Sequence, residues 1–224
     1  MLIQFADFNQ AGKIIATQFS EQWEQLRGVL EGMRLHLKAS DQAGIQGTPI
    51  FDPVGTNEYI KRELRKIEGW QCNISIPAEF DFLGTDVDFG NAGVLVEIQF
   101  SNYPFLLNNT VRSELFYKSK TPLTGQPVEV AIIVTKAKMF PASNSTLYYE
   151  QGKRQLISLA RNNVFDCPMR LVGLFEEEDT TVPIDFTVYS SSRYSRTVKS
   201  REQKQCRIGP GRGQRSRSIL TVID

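Results

Sequence analysis

The sequence predicts an α/β protein: a mixed central β-sheet flanked by helices, with additional β structure toward the C-terminus. Three observations carry that expectation. Apolar residues recur at three- and four-residue spacing near the N-terminus, the period shortens to that of strands from Ile74 onward, and the two kinds of segment then alternate along the chain.

In chain order, Phe19, Trp23, Leu26 and Leu30 form an apolar helical stripe. A turn-rich stretch from Gln42 to Asn57 leads into a helix over NEYIKRELRKI, which Thr56 or Asn57 can cap and Gly69 ends. Phe80 to Phe89 and Val94 to Phe100 read as two strands around the turn Gly90 to Gly93. Asn108 and Asn109 can cap a helix running from Thr110 to about Lys118. A strand over Val128 to Lys136, a helix from Thr146 to about Arg161, a buried strand over Met169 to Phe175 and a strand over VPIDFTVY complete the pattern. At 224 residues the expected organisation is a single domain, 1–224, with a core over about 15–175 and a β-rich, basic C-terminal portion over about 180–224.

Composition narrows the chemistry. Hydrophobic residues at 41% and charged residues at 23% fit a globular chain rather than a disordered one. No window approaches the ~18 apolar residues of a spanning helix, and the N-terminus lacks a basic region followed by an apolar one, so no membrane contact and a cytoplasmic location are expected. Three scattered cysteines without a C-x-x-C pair argue against a disulfide framework or a structural zinc site. His36 is the only histidine, which excludes any site needing two imidazoles. Catalysis, if present, falls to carboxylates and a metal ion. Nine basic residues against the single acid Glu202 between Arg193 and Arg217 suit a polyanion or a solvated tail equally.

The stretch DVDFGNAGVLVEIQFSN, Asp86 to Asn102, is the chemical candidate. Strand alternation puts Leu95, Glu97, Gln99 and Ser101 on one face and Val94, Val96, Ile98 and Phe100 on the other. Asp88, just before the turn, can be folded back toward the first face. Two carboxylates brought to about 4 Å repel by roughly 4 kcal/mol at an effective dielectric near 20, so a proton or a cation must offset them. An all-oxygen set selects Mg²⁺ or Mn²⁺ over zinc. As a bare pattern, the wet face of an edge strand accounts for these residues as well as a metal site does. The DFG triplet is not a kinase signature, because neither a glycine-rich loop nor an HRD-like loop precedes it.

Longer runs are more specific. LHLKASDQA, IFDPVGTNEYIK, FDFLGTDVDFG, VEIQFSNYPFLLNNTVRSELF, MFPASNSTLYYEQ, RLVGLF and RYSRT spread from about Leu35 to Thr197. On these runs the chain resembles the PD-(D/E)-x-K nuclease superfamily and, within it, the BglII-like type II restriction endonucleases. The resemblance implies a restriction-endonuclease-like core with Asp88, Glu97 and Gln99 as catalytic residues. It also implies Mg²⁺, replaceable by Mn²⁺, held by Asp88, Glu97 and the backbone carbonyl of Ile98. Gln99 stands where most of the superfamily has lysine, and an amide carries no positive charge and is no base at neutral pH. The implied reaction is in-line attack of water on a DNA phosphodiester, leaving a five-prime phosphate and a three-prime hydroxyl. Base and backbone contacts are implied at Ser101, Asn102, Asn144, Ser145, Tyr194 and Arg196, with Arg112 a further candidate; the ordinary alternatives are turn, N-cap and solvated residues.

The implied partner is double-stranded DNA, bound by a homodimer whose twofold axis matches a palindrome of the AGATCT type or its relaxed form RGATCY, cut to leave GATC overhangs. A companion DNA methyltransferase is expected to act on the same site without stable binding. A DNA-binding protein of the same fold that has lost cleavage is the rival reading, and the missing lysine is its best argument. A nuclease that recognises DNA structure is a further rival.

Overall fold

The computed structural model describes residues 1–138, 140–143, 145–191, 197–211 and 217–223. Eleven strands and five α-helices among them build two sheets. The first sheet has the order β1 (Leu2–Phe8), β8 (Met169–Phe175), β7 (Val130–Lys136), β6 (Val94–Ile98), β5 (Asp86–Asn91), β4 (Gln71–Ser75). Its centre is parallel, β6 with β7 and β7 with β8, while both edges are antiparallel. The second sheet runs β11 (Ile219–Ile223), β10 (Val198–Gly209), β9 (Thr180–Tyr189), β2 (Leu35–Ala39), β3 (Pro49–Phe51).

Each face of the first sheet is covered, as parallel strands require. Val94, Val96, Ile98 and Phe100 pack with Trp23, Leu26 and Leu30 of α2 (Ser20–Gly32), and with Leu35, Leu37, Ile184 and Ile208 of the second sheet. Ala131, Ile133 and Leu171 pack on the other side with Leu106 of α4 (Tyr103–Lys118) and Leu156 of α5 (Tyr149–Arg161). Leu95 lies with Phe116 of α4 on that same side, so the alternation expected along β6 is what the sheet uses.

The departures from the sequence expectation have local causes. Phe80 to Leu83 are not strand: a 3-10 turn over Ala78–Leu83 follows Pro77, and Gly84 at φ 124° separates it from β5. The hairpin turn is two residues, Ala92 and Gly93, both at positive φ, the geometry that lets strands with right-handed twist continue. Helix α3 (Pro53–Leu64) starts before Asn57, because Pro53 occupies the first turn and Asp52 caps it by accepting from the Val54 N–H at 3.2 Å. Gly55 belongs to that helix, since a Cβ there would stand 2.7 Å from Asp52 Oδ2 and 3.1 Å from His36 Nδ1. Likewise α4 begins at Tyr103 with Pro104 in its first turn, which places Asn108 and Asn109 inside the helix rather than at its cap.

The N-terminal strand β1 and the short helix α1 (Ala11–Gln18) precede the helix read from Phe19. Along its length β1 pairs with β8, and Asp7 receives two hydrogen bonds from Arg170, from Nε at 2.7 Å and Nη2 at 2.9 Å. The basic C-terminal segment is strand where described: Lys199, Arg201 and Arg207 of β10 are exposed or half-buried, while Cys206 and Ile208 face the core. All three cysteines are free thiols. No described helix is long and apolar enough to cross a membrane.

Candidate active site

The β5–β6 ladder pairs Asn91 with Val94, Gly90 with Leu95 and Phe89 with Val96. One step further in that register, Asp88 would face Glu97. There the backbone pairing stops, and the Asp88 side chain takes over: its Oδ2 accepts from the Ile98 N–H at 2.8 Å. The hairpin thus delivers one acid beside the strand segment that carries the other.

Glu97 is 5% exposed. Burial pushes its pKa up to about 8, the Arg112 guanidinium works against that rise, and the Asp88 charge adds to it. Asp88 is also raised, by burial first, while the Ile98 N–H and Arg112 oppose the shift. A buried acid and a half-buried one, both raised by burial and opposed mainly by Arg112, form a site that takes up a proton or a cation.

Helix α4 runs across the same strand face, and its inward positions meet alternate residues of the strand. Asn109 Nδ2 donates to Gln99 Oε1 at 3.3 Å, Arg112 Nη2 donates to Glu97 Oε1, and Phe116 clusters with Leu95. Steps of three or four residues along a helix rise about 4.5 to 6 Å, close to the ~7 Å of two strand residues, so the two periodicities stay in register over this length. Arg112 Nη1 also donates to the carbonyls of Leu83 at 3.4 Å and Asp86 at 3.1 Å. Gln99 is held from both ends, since its Nε2 donates to Ser101 Oγ.

A cleft of about 490 Å³ opens on Asp88. Asn57, Glu58 and Lys61 of α3 line it together with Asn73 and Asp86. Asn73, at φ 53°, accepts from Lys61 Nζ and donates to Asp86 Oδ2 at 2.7 Å, so the cleft wall is a connected polar network. Asp88, Glu97 and the Ile98 carbonyl are hard oxygen donors. Among the described residues no group of three or more histidine, cysteine or acidic side chains converges. That set fits Mg²⁺, which binds through one or two carboxylates and keeps water and phosphate oxygens in its remaining positions.

The residues assigned to DNA divide. Ser101 and Asn102 are half-buried on the turn between β6 and α4. Ser145 comes close to them, its Oγ donating to the Ser101 carbonyl at 2.8 Å, and Thr146 Oγ1 donates to Asn102 Oδ1 at 3.2 Å. Ser145 is itself 5% exposed. Asn144, Tyr194 and Arg196 lie outside the described residues. Arg112 is no surface contact: it is 7% exposed and committed to Glu97, a placement hidden from sequence because it depends on where α4 begins. Asn109 suits a helix cap by sequence, but its spacing of three before Arg112 is the signal that turns it inward once α4 begins at Tyr103. Lys61 and Asn73 carry no such signal, since only the fold brings them to Asp88.

The chain is similar to known proteins over most of its length. Residues 3–174 match the family model described as restriction endonuclease BglII/BglIII. The type II restriction enzyme BglII of Bacillus subtilis is 56% identical over 202 residues, which are 90% of this chain and 89% of that protein. The crystal structure of restriction endonuclease BglII complexed with a DNA 16-mer matches over 100% of both chains at 52% identity with a TM-score of 0.94. Free BglII matches over the same extent at 48% identity with a TM-score of 0.77.

Proposed function

Because the chain belongs to the restriction endonuclease BglII/BglIII family, a family of site-specific type II enzymes, we propose that it hydrolyses double-stranded DNA with Mg²⁺ at a short palindrome of the AGATCT or RGATCY type. The products are five-prime GATC overhangs. One observation carries the catalytic reading: Asp88 sits one register step beyond the β5–β6 ladder with its carboxylate on the Ile98 N–H, beside the buried Glu97.

Asp88, Glu97 and the Ile98 carbonyl would hold the cation, for which Mn²⁺ could substitute. When bound, the cation acidifies water and neutralises charge on the scissile phosphate. Arg112 keeps Glu97 Oε1 in place, and Asn109 keeps the Gln99 amide oriented toward the same side of the strand. Gln99 has a second lone pair on Oε1 with which to accept from the attacking water. The water oxygen forms a bond to phosphorus and gives up a proton to solvent, the bond to the three-prime oxygen breaks, and that oxygen takes up a proton from solvent.

Ser101, Asn102, Asn144, Ser145, Tyr194 and Arg196 supply the sequence reading. A homodimer matches the palindrome, and exposed Tyr103, Leu107 and Val111, at four-residue spacing, leave α4 an apolar outer face for a second copy. The enzyme works in the bacterial cytoplasm, where a companion methyltransferase protects host sites. Incubating plasmid with the protein and Mg²⁺, then sequencing fragment ends, tests the proposal. Discrete fragments with GATC overhangs are expected; binding without cutting across metals and pH overturns it, as does a smear.

A further inference from the structure

Lys136 closes β7 and is 0% exposed. Its Nζ donates to the Phe100 carbonyl at 3.1 Å, to the Leu147 carbonyl at 2.6 Å and to Ser145 Oγ, and the Tyr148 ring centroid lies 4.2 Å away. An ammonium has three protons, and here each has an acceptor. Burying an ammonium without those acceptors is heavily unfavourable, so the side chain is tolerated only while they stay where they are.

Those acceptors come from two separate stretches. Phe100 precedes the Ser101–Asn102 turn after β6, and Ser145 and Leu147 precede α5. The Ser101 carbonyl further binds the two stretches, accepting from the Thr146 N–H at 3.2 Å and the Leu147 N–H at 3.0 Å. Side chains assigned above to base reading therefore sit on two loops joined through one buried lysine. A methionine would fill the same volume without the desolvation, so what the lysine adds is a defined geometry between the loops.

We infer that Lys136 is a positioning residue for sequence discrimination: it latches the Ser101–Asn102 turn to the Ser145–Leu147 segment so that the two loops face DNA as one unit. The inference rests on the reading of those segments as base readers. It goes beyond that reading in assigning the link between them to a residue that touches no base.

The test uses full-length Lys136→Met and compares kcat/KM on the cognate duplex with that on duplexes carrying each single base-pair change. Discrimination should fall about ten- to a hundredfold, the scale of one base contact, with kcat on the cognate duplex within about tenfold of wild type. A folded variant with wild-type discrimination overturns the inference. Should Lys136→Met fail to fold, Lys136→Gln offers only two amide protons to the three acceptors; faster amide exchange at Ser101 to Tyr103 and a severalfold loss of discrimination are expected, and wild-type values for both overturn it. A wild-type protein without sequence preference would remove the base-reader reading. Amide exchange in the variants would then still separate a latch with no reading role from no latch.

Discussion

Strands β6 and β7 lie side by side and parallel, and each carries a buried ionisable side chain near its C-terminal end, Glu97 on one and Lys136 on the other. Their environments differ in kind. Lys136 meets three acceptors, a full complement for its protons. Glu97 meets one guanidinium and another acid, and burial drives its pKa up to about 8. A buried head group whose every hydrogen-bonding position is filled defines geometry, whereas acids with lone pairs still open can take a cation from outside. The C-terminal ends of these two central strands thus offer an architectural lysine and, one strand over, a pair of acids suited to a metal.

The contrast breaks most visibly if the acids are dispensable. Asp88→Asn and Glu97→Gln should each lower cleavage by about a thousandfold or more, the rate equivalent of losing several kcal/mol of metal-assisted stabilisation, with DNA binding largely retained in gel-shift titrations. Substantial residual cutting by either variant would mean that the acids do not hold the ion. Arg112 comes next in size. Removing one member of a buried pair typically costs about 3 to 5 kcal/mol, so Arg112→Met should lower the urea midpoint strongly. Adding Glu97→Gln should recover part of that loss, and a double variant no better than Arg112→Met would show that the pair is not coupled.

The cationic side of the comparison is sharpened by pH. Burial, with the Arg217 guanidinium adding to it, holds the Lys136 pKa down to about 7 from the ordinary 10.5. Between those values the unfolded chain binds a proton that the folded chain has released, so stability rises with pH from about 7 to about 10.5. Below pH 7 both states are protonated and the contribution stays constant. With three hydrogen bonds to the ammonium offsetting much of the burial cost, the rise should be on the order of 1 to 2 kcal/mol. Denaturation across that range should show it in wild type and not in Lys136→Met; a flat wild-type profile would mean the three acceptors hold the proton throughout.

How much of this was legible in sequence depended on whether the signal was local. The strand Met169–Phe175 was, because five large apolar residues in seven, broken by Arg170 and Gly173, mark a buried element. So was the alternation along Val94 to Phe100, and with it Glu97 and Gln99 on one face. By contrast β1 pairs with a strand more than 160 residues away, and β10 hides its period because its outer face is charged and its inner face is mostly polar. Within the site, Asp88 and Glu97 followed from hairpin logic together with the family resemblance. The role of Arg112 did not, since it requires the start of α4 at Tyr103 and the crossing of that helix over β6.

The smallest effect tests the finest feature of the acidic side, the hold on Gln99. Asn109 is 5% exposed and gives Gln99 Oε1 a donor at 3.3 Å, while Gln99 Nε2 is spent on Ser101 Oγ. An amide carries no charge, so its contribution depends on where the carbonyl oxygen points. Asn109→Ala frees that oxygen to rotate and forfeits one buried hydrogen bond, worth about 1 kcal/mol. About fivefold in kcat is the expected loss if the orientation matters only in the transition state, with KM nearly unchanged. Lower stability with an unaltered kcat would instead make Asn109 a packing residue and leave Gln99 without a catalytic role, so that the acids and their ion alone would account for the chemistry.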